Sequence, residues 1–268
     1  MSASAEWRHV VVCADDFGGS PRGDAAILQL ADIGAISAVS VFADGDPADE
    51  SMPELRKLPP AVSIGLHFNL TEPLHGASAR PLRAHLVGAY ITGTIGTRWI
   101  GEELERQCNH FEQRIGRSPD FIDGHQHVHQ FKRIRDCLLS VVRMRYGSAI
   151  AIRTTRPRAW RGTKAALIAV LGGHALASEL SSAGDAANQD FAGVYDFSHR
   201  VPFGARMARW LADIGDHGLI MCHPQWPTKR GVPGAREAEF EFLSSSAWPQ
   251  LRQAHKISLV PFGSPFPP

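Results

Sequence analysis

The chain has 268 residues, of which 44% are hydrophobic and 21% charged, with a formal net charge of +1. This is an ordinary globular composition, and its balanced charge provides no basic stripe for a nucleic acid or another polyanion. The length suits a single α/β barrel domain over 1–268. The four cysteines, Cys13, Cys108, Cys137 and Cys222, form no C-x-x-C, which argues against a disulfide framework and for a reducing, cytoplasmic setting. Met1 to Trp7 lacks an apolar signal core. The Ala- and Leu-rich stretch from Lys164 to Leu180 is broken by Gly172, Gly173 and His174, so no membrane span is expected.

The first predicted strand, His9 to Ala14, is a run of Val and Cys of the kind buried on both faces. It ends in Asp15-Asp16-Phe17-Gly18-Gly19. A helix N-cap would use one of these carboxylates but not both, and two like charges at a buried strand end need compensation. Ala25, Ile27, Leu28, Leu30, Ala31 and Ile33 repeat at helical spacing up to Gly34. Ala38 to Phe42 reads as a strand, and about Pro47 to Leu58 as a helix closed by Pro59-Pro60. Val62 to Phe68 is a third strand with His67 near its end. From Asn69 to Thr97 no period persists, and the stretch reads as a long, substrate-facing loop insertion.

An amphipathic helix follows at about Arg98 to Arg114, with Ile100, Leu104, Cys108 and Phe111 on one face. After Phe121-Ile122 comes Asp123-Gly124-His125-Gln126-His127-Val128-His129. On an extended chain Asp123, His125, His127 and His129 would share one face. Further helices are predicted at about Lys132 to Arg145, Arg161 to Leu180, Val201 to Ile214 and Ala235 to Ala254. Further strands are predicted at Ala149 to Arg153, Gly218 to Cys222 and Ile257 to Val260. Arg153, Arg156 and Arg158 are candidates to clamp a carboxylate or to order the site, surface solvation being an equal reading for the last two.

Strands and helices alternate, so the predicted fold is a parallel sheet with helical crossovers. Asp15, Asp16, His67, His125, Arg153 and His223 all fall at C-terminal strand ends, which meet at one mouth in a (β/α) barrel. One Asp with two His makes a three-ligand set for a divalent metal, leaving positions for water and substrate. A second carboxylate can take a proton from water, and a histidine opposite can protonate a leaving group. The chain has no G-x-S-x-G, P-loop, G-x-G-x-x-G or H-E-x-x-H, so metal-assisted hydrolysis leads.

Ala14-Asp15-Asp16-Phe17-Gly18, Gly65-Leu66-His67-Phe68-Asn69-Leu70-Thr71, Asp123-Gly124-His125-Gln126-His127-Val128-His129 and Met221-Cys222-His223-Pro224 together resemble the YdjC-like family of chitooligosaccharide and hopanoid-associated deacetylases. The resemblance implies a distorted (β/α) barrel related to polysaccharide deacetylases, one divalent ion (zinc or magnesium), and removal of an N-acetyl group from an amino sugar. By the same resemblance Asp16, His67 and His125 are metal ligands, Asp15 the general base, His223 the general acid, and Arg153 the residue that orients the base. His127, His129, Asp123 and Phe191 are candidates for substrate contacts or for support of the ligands. Gly124, Gln126 and Gln225 depart from the family pattern. The expected partner is a small N-acetylated sugar, and a homodimer is a candidate state. The alternatives are a metal-dependent hydrolase of another amide or ester, and a catalytically silent sugar-binding descendant.

Overall fold

A computed structural model describes residues 6–46, 51–74, 79–198, 200–228 and 234–263. Its strands β1 (Arg8–Phe17), β2 (Ala38–Val41), β3 (Ser63–Phe68), β4 (Phe121–Gly124) and β5 (Ala151–Ile152) follow one another in space in chain order. On the other side of β1 lie β7 (Gly218–Cys222) and then β6 (Asp190–Ala192). All of these pairings are parallel. β8 (Ile257–Leu259) pairs with Arg8, His9 and Val10, ahead of the Cys13–Phe17 part of β1 that meets β2. The two sheet edges approach each other: Ile152 bridges Ala187, and the Thr154 N–H donates to Asn188 Oδ1 at 2.7 Å. The sheet therefore curls into a distorted (β/α) barrel, as the alternation of elements predicts.

Strand periodicity decides which side chains enter the barrel. Val10, Val12 and Ala14 pack in the larger core under the helices, whereas Val11 and Cys13 belong to an inner cluster with Phe121, Ala151, Phe191, Leu219 and Met221. The inner column of each strand changes from apolar to polar at its C-terminal end. Val11 and Cys13 lead to Asp15, Phe121 to Asp123, Ala151 to Arg153, and Leu219 and Met221 to His223. On β3 the inner column runs through Gly65 to His67. Gly65 has no room for a side chain, since a Cβ there would overlap the Phe121 ring at 2.4 Å.

The helices are α1 (Pro21–Asp32), α2 (Ser51–Arg56), α3 (Leu82–Val87), α4 (Thr97–Ile115), α5 (Ile134–Tyr146), α6 (Thr163–Ile168), α7 (His174–Ala183), α8 (Phe203–Asp213), α9 (Ala235–Leu243) and α10 (Ala247–Ala254). On α4 the predicted face of Ile100, Leu104, Cys108 and Phe111 is buried. The start of the helix predicted at Pro47 falls on 47–50, outside the described residues.

Three expectations are corrected. First, neither Asp15 nor Asp16 caps α1. Ser20 does so, accepting from the Gly23 N–H at 3.1 Å, with Pro21 in the first turn. Second, the stretch 69–97 is not a loop throughout. It contains α3 and a π-helical turn at Gly88–Thr92. Leu82, Leu86 and Ala89 pack on the core at helical spacing, and the buried His85 hydrogen-bonds Leu70 O through Nε2 at 3.0 Å. Third, the last helix is two, α9 and α10. They separate where the Ser244 and Ser245 hydroxyls bond back to the carbonyls of Phe240 and Phe242. The helical stretch predicted at 161–180 spans Thr163 to Ala183 and is kinked at Gly172, whose φ of 147° is non-helical, as the glycines there predict. By length and composition alone this run could cross a membrane, although core helices pass the same test; 39% of its most apolar window is buried.

Asp24, in the first turn of α1, is fully buried, and its Oδ1 accepts from the Gly18 N–H at 2.7 Å. Burial pushes its carboxyl up to about 6, against the pull of that bond. A raised carboxyl pKa means that the charged form is disfavoured in the fold. The penalty is absent below the unfolded value and fully present above pH about 6. Asp24→Asn keeps an acceptor for Gly18 and is expected to stabilise the protein by about 1–2 kcal/mol at pH about 8. That gain should fade below pH about 4, as read by paired thermal melts.

Candidate metal centre

Asp15 and Asp16 are neighbours on a strand, and a regular pleat would send them to opposite faces. It does not, because β1 carries a bulge. Ala14 pairs with Val39 and Phe17 with Val41, so three steps on β1 match two on β2, and Asp16 takes a left-handed φ of 70°. Such a conformation costs a non-glycine residue roughly 1 kcal/mol or more. Asp15 continues the inner column while Asp16 turns into the mouth.

Three donor atoms converge there. Asp16 Oδ1 lies 3.4 Å from His67 Nε2 and 3.2 Å from His125 Nδ1, and the two nitrogens are 3.3 Å apart. Asp16 Oδ1 is buried and has no hydrogen bond of good geometry. A triangle of this size suits donors bonded to one ion at about 2.0–2.1 Å. The set of two imidazoles and one carboxylate fits a zinc-like ion, or magnesium with retained waters. His67 is prepared for such a role. Its Nδ1 lies 2.7 Å from Asp123 Oδ1 and 2.9 Å from Ser40 Oγ, which leaves Nε2 to face Asp16. A carboxylate behind an imidazole fixes its tautomer and raises its basicity.

The charges are arranged around Arg153, which is fully buried. Its Nη1 and Nη2 each donate to Asp15, both at 2.6 Å, and Nη2 also contacts Asp123 Oδ2. Burial works against charge on Asp15, but the Arg153 guanidinium outweighs it and holds the carboxyl well below the usual range. Asp16 is also held low: burial is opposed by the His125 and His67 nitrogens that face it and by His223. For His67, burial disfavours the charged ring, yet Asp123, Asp16 and Asp15 together push it up to about 10. His223 follows Met221 into the mouth and packs edge-on against Phe197, with ring centroids 5.4 Å apart. Burial lowers its pKa despite Asp16 and Asp15, so its ring is neutral at rest.

The histidine cluster does not adopt the predicted extended form. After Gly124 the chain winds into a short helical turn, His125–Gln130, in which Gln126 and His127 have φ values of 52° and 59°. Only His125 of the three histidines joins the donor triangle. His127 packs edge-on against Phe191 at 5.7 Å, and burial lowers its pKa. His129 turns inward, and its Nε2 bonds the Arg153 carbonyl at 2.9 Å. Gly124 is required by this path, since a Cβ there would lie 2.8 Å from the His129 ring. Arg158 uses its backbone N–H to bond Asp190, away from the mouth.

Four residues at the site were not singled out from the sequence. Ser40 was legible as a polar residue within a buried strand. Glu72 Oε1 lies 3.4 Å from His125 Nε2, and Arg236 Nη2 lies 3.0 Å from Asp16 Oδ2. Glu239, on α9, accepts from the His223 N–H and the Tyr195 hydroxyl, and burial pushes its carboxyl up to about 7. Glu72 follows β3, and Arg236 and Glu239 lie on α9; neither segment gives a periodic signal for such contacts, which arise only when the barrel closes.

Two hollows open on the donor triangle, of about 370 and 560 Å³. Asp15, Asp16, Glu72, His125 and Arg236 line both.

Comparison with known proteins gives a consistent picture. The model of the YdjC-like protein family matches residues 9–254. A Mus musculus protein named carbohydrate deacetylase is 29% identical over 282 residues, covering 93% of this chain and 87% of that one. A chitooligosaccharide deacetylase of Citrobacter koseri is 33% identical over 136 residues, covering 47% of this chain and 52% of the relative. A crystal structure from Enterococcus faecalis, described as a cellobiose-phosphate cleavage protein, shares the fold with a TM-score of 0.69. It is 20% identical, with 97% of this chain and 99% of that one covered.

Because Arg153 neutralises two buried carboxylates, Arg153→Met should leave Asp15 and Asp123 unpaired and destabilise the protein by about 3–5 kcal/mol. Urea denaturation of the two proteins at neutral pH measures this, and a loss below about 1 kcal/mol would show that Arg153 does not carry the cluster.

Proposed function

Because the chain belongs to the YdjC-like family, we propose that it is a metal-dependent carbohydrate deacetylase, hydrolysing the N-acetyl group of an amino sugar to a free amine and acetate. The observation that carries this reading is the convergence of Asp16 Oδ1, His67 Nε2 and His125 Nδ1 within 3.4 Å of one another, beside an ionised Asp15. These three would hold the ion. When bound, a divalent ion of this kind polarises an acyl oxygen and acidifies water.

The chain's own groups then have separate tasks. Asp15 lines both hollows, and Arg153 fixes its carboxylate from behind, so it is oriented to take a proton from the attacking water. The same clamp makes it a weak base, suited only to a water that is already acidic. His223 is neutral at rest. As negative charge builds near it the ring takes up a proton from solvent, and it gives that proton to the departing nitrogen. Asp123 and Ser40 orient His67, and Glu239 holds the His223 backbone. Cys13, Cys108, Cys137 and Cys222 are all free thiols, which supports a cytoplasmic setting.

The test is a panel of N-acetylglucosamine oligomers and simple acetyl esters incubated with metal-loaded enzyme. Mass spectrometry is expected to show loss of one acetyl from the sugars, while tight sugar binding without acetate release would identify a silent descendant. Asp15→Asn should retain one equivalent of metal and lose about 10²–10⁴-fold in kcat. His125→Ala should lose the metal itself by elemental analysis, and full occupancy in that variant would remove His125 from the ligand set.

A further inference from the structure

A second set of metal-ligating side chains lies at the other end of the barrel. His9, Asp216 and His217 each offer one donor atom, and the three atoms lie within 4.8 Å of one another. His9 Nδ1 is 3.4 Å from Asp216 Oδ1, and His217 Nε2 is 3.3 Å from Asp216 Oδ2. Charge-assisted hydrogen bonds are shorter, at about 2.7–2.9 Å. The observed spacing instead matches two donors that share one ion at about 2.0–2.1 Å, as in the mouth.

The backbone holds the three residues together. His9 and His217 stand side by side, one step before the paired residues Val10 and Gly218 of β1 and β7, and their rings stack with centroids 5.8 Å apart. The His9 N–H donates to Asp216 Oδ1 at 2.6 Å, the His217 N–H to the His9 carbonyl at 2.7 Å, and the Gln189 N–H to the His217 carbonyl at 2.9 Å. His217 has a left-handed φ of 56°, which is uncommon outside glycine. The buried Asp190 anchors the same turn by accepting from the Gly215 N–H at 2.9 Å. Arg8, the adjacent cation, is engaged by the carbonyls of Leu211, Ile214 and His255. Alternation runs from His9 through Val11 and Cys13 to Asp15, and from His217 through Leu219 and Met221 to His223. The cluster therefore lies beneath the two columns that carry the proposed base and acid. Roughly 20 Å of strand separates His9 from Asp15, at about 3.3 Å per residue.

We propose that His9, Asp216 and His217 bind a zinc-like divalent ion at the base of the barrel, where it clips β1 to β7. Two imidazoles and a carboxylate are ligands such an ion takes, with its remaining positions left to water. The side chains of His9, Asp216 and His217 are 33%, 49% and 23% exposed, so the ion exchanges with the medium and fills the site when free zinc is supplied. An ion that binds the folded chain and not the unfolded one stabilises the fold. The role is structural, since the end of a barrel away from its mouth contributes stability rather than chemistry.

The experiment uses the full, untagged protein dialysed against zinc buffered at a micromolar free concentration, with bound zinc per chain measured by elemental analysis. The comparison is the double variant His9→Gln/His217→Gln. The unaltered protein is expected to hold one equivalent more than the variant, whatever number the mouth binds. Thermal melts in chelator establish that the two chains fold alike. Where the double variant melts differently in chelator, Asp216→Asn takes its place, because it keeps an acceptor for the His9 N–H. Zinc at about a hundredfold excess over its dissociation constant should raise the midpoint of the unaltered protein by roughly 5 °C more than that of the variant. Equal zinc content in the two proteins overturns the site and leaves the deacetylase reading standing. An extra equivalent with no extra rise in midpoint overturns the clip.

Discussion

The pairing of Arg153 with Asp15 and Asp123 is the constraint on which the mouth of the barrel depends. A guanidinium with no solvent exposure has to be matched by carboxylates, and a planar fork can be matched by two at once. One partner, Asp15, faces the hollows. The other, Asp123, continues through its Oδ1 to His67 and so to the donor triangle. Proposed base and proposed ligand are thereby tied to one cation, and neither can shift without disturbing the other. A buried cluster like this contributes little net stability compared with an apolar replacement, because desolvating the ions offsets their attraction. Its value lies in orientation, which is what a preorganised site needs.

The barrel supplies the frame for that cluster by simple alternation. Inner columns that are apolar at the base of the strands become charged at their ends, so the same strand contributes both to the packed interior and to the site. Gly65 makes room for the Phe121 ring, which fills the interior just below the level of His67 and Asp123. The apolar plug under the mouth keeps water from the rear of the carboxylates, and this strengthens the interactions that set their charge.

Much of this arrangement was legible in the chain. The Val-rich first strand, the run Gly218 to Cys222 and the amphipathic face of Ile100, Leu104, Cys108 and Phe111 follow from period alone. So does the gathering of polar residues at strand ends. What escaped were features set by backbone conformations that no propensity scale announces. Residues from His125 onward read as extended because alternation was the only local signal. The left-handed Gln126 and His127 instead fold them into a turn, with His129 bonded behind Arg153. The segment after Pro81 read as a loop because Gly88 and Gly93 punctuate it, yet three apolar residues at helical spacing were enough to dock it on the core. Glu72 and Arg236 come from distant segments and meet Asp16 and His125 only through closure of the sheet.

The bulge in the first strand has a consequence for how such a site can arise or be transplanted. An acidic dipeptide grafted onto a regular strand would show one carboxylate to the cavity and bury the other among the aliphatic residues beneath the helices. The inserted residue is itself one of the pair, so the irregularity of the strand and the two carboxylates cannot be had separately. Only Asp15 and Asp16 lie between Ala14 and Phe17, so a deletion that restored ideal pleating would remove one of the two carboxylates. A lineage that lost the insertion would retain its barrel but lose half of the acidic pair, and with it either the proposed base or a proposed metal ligand.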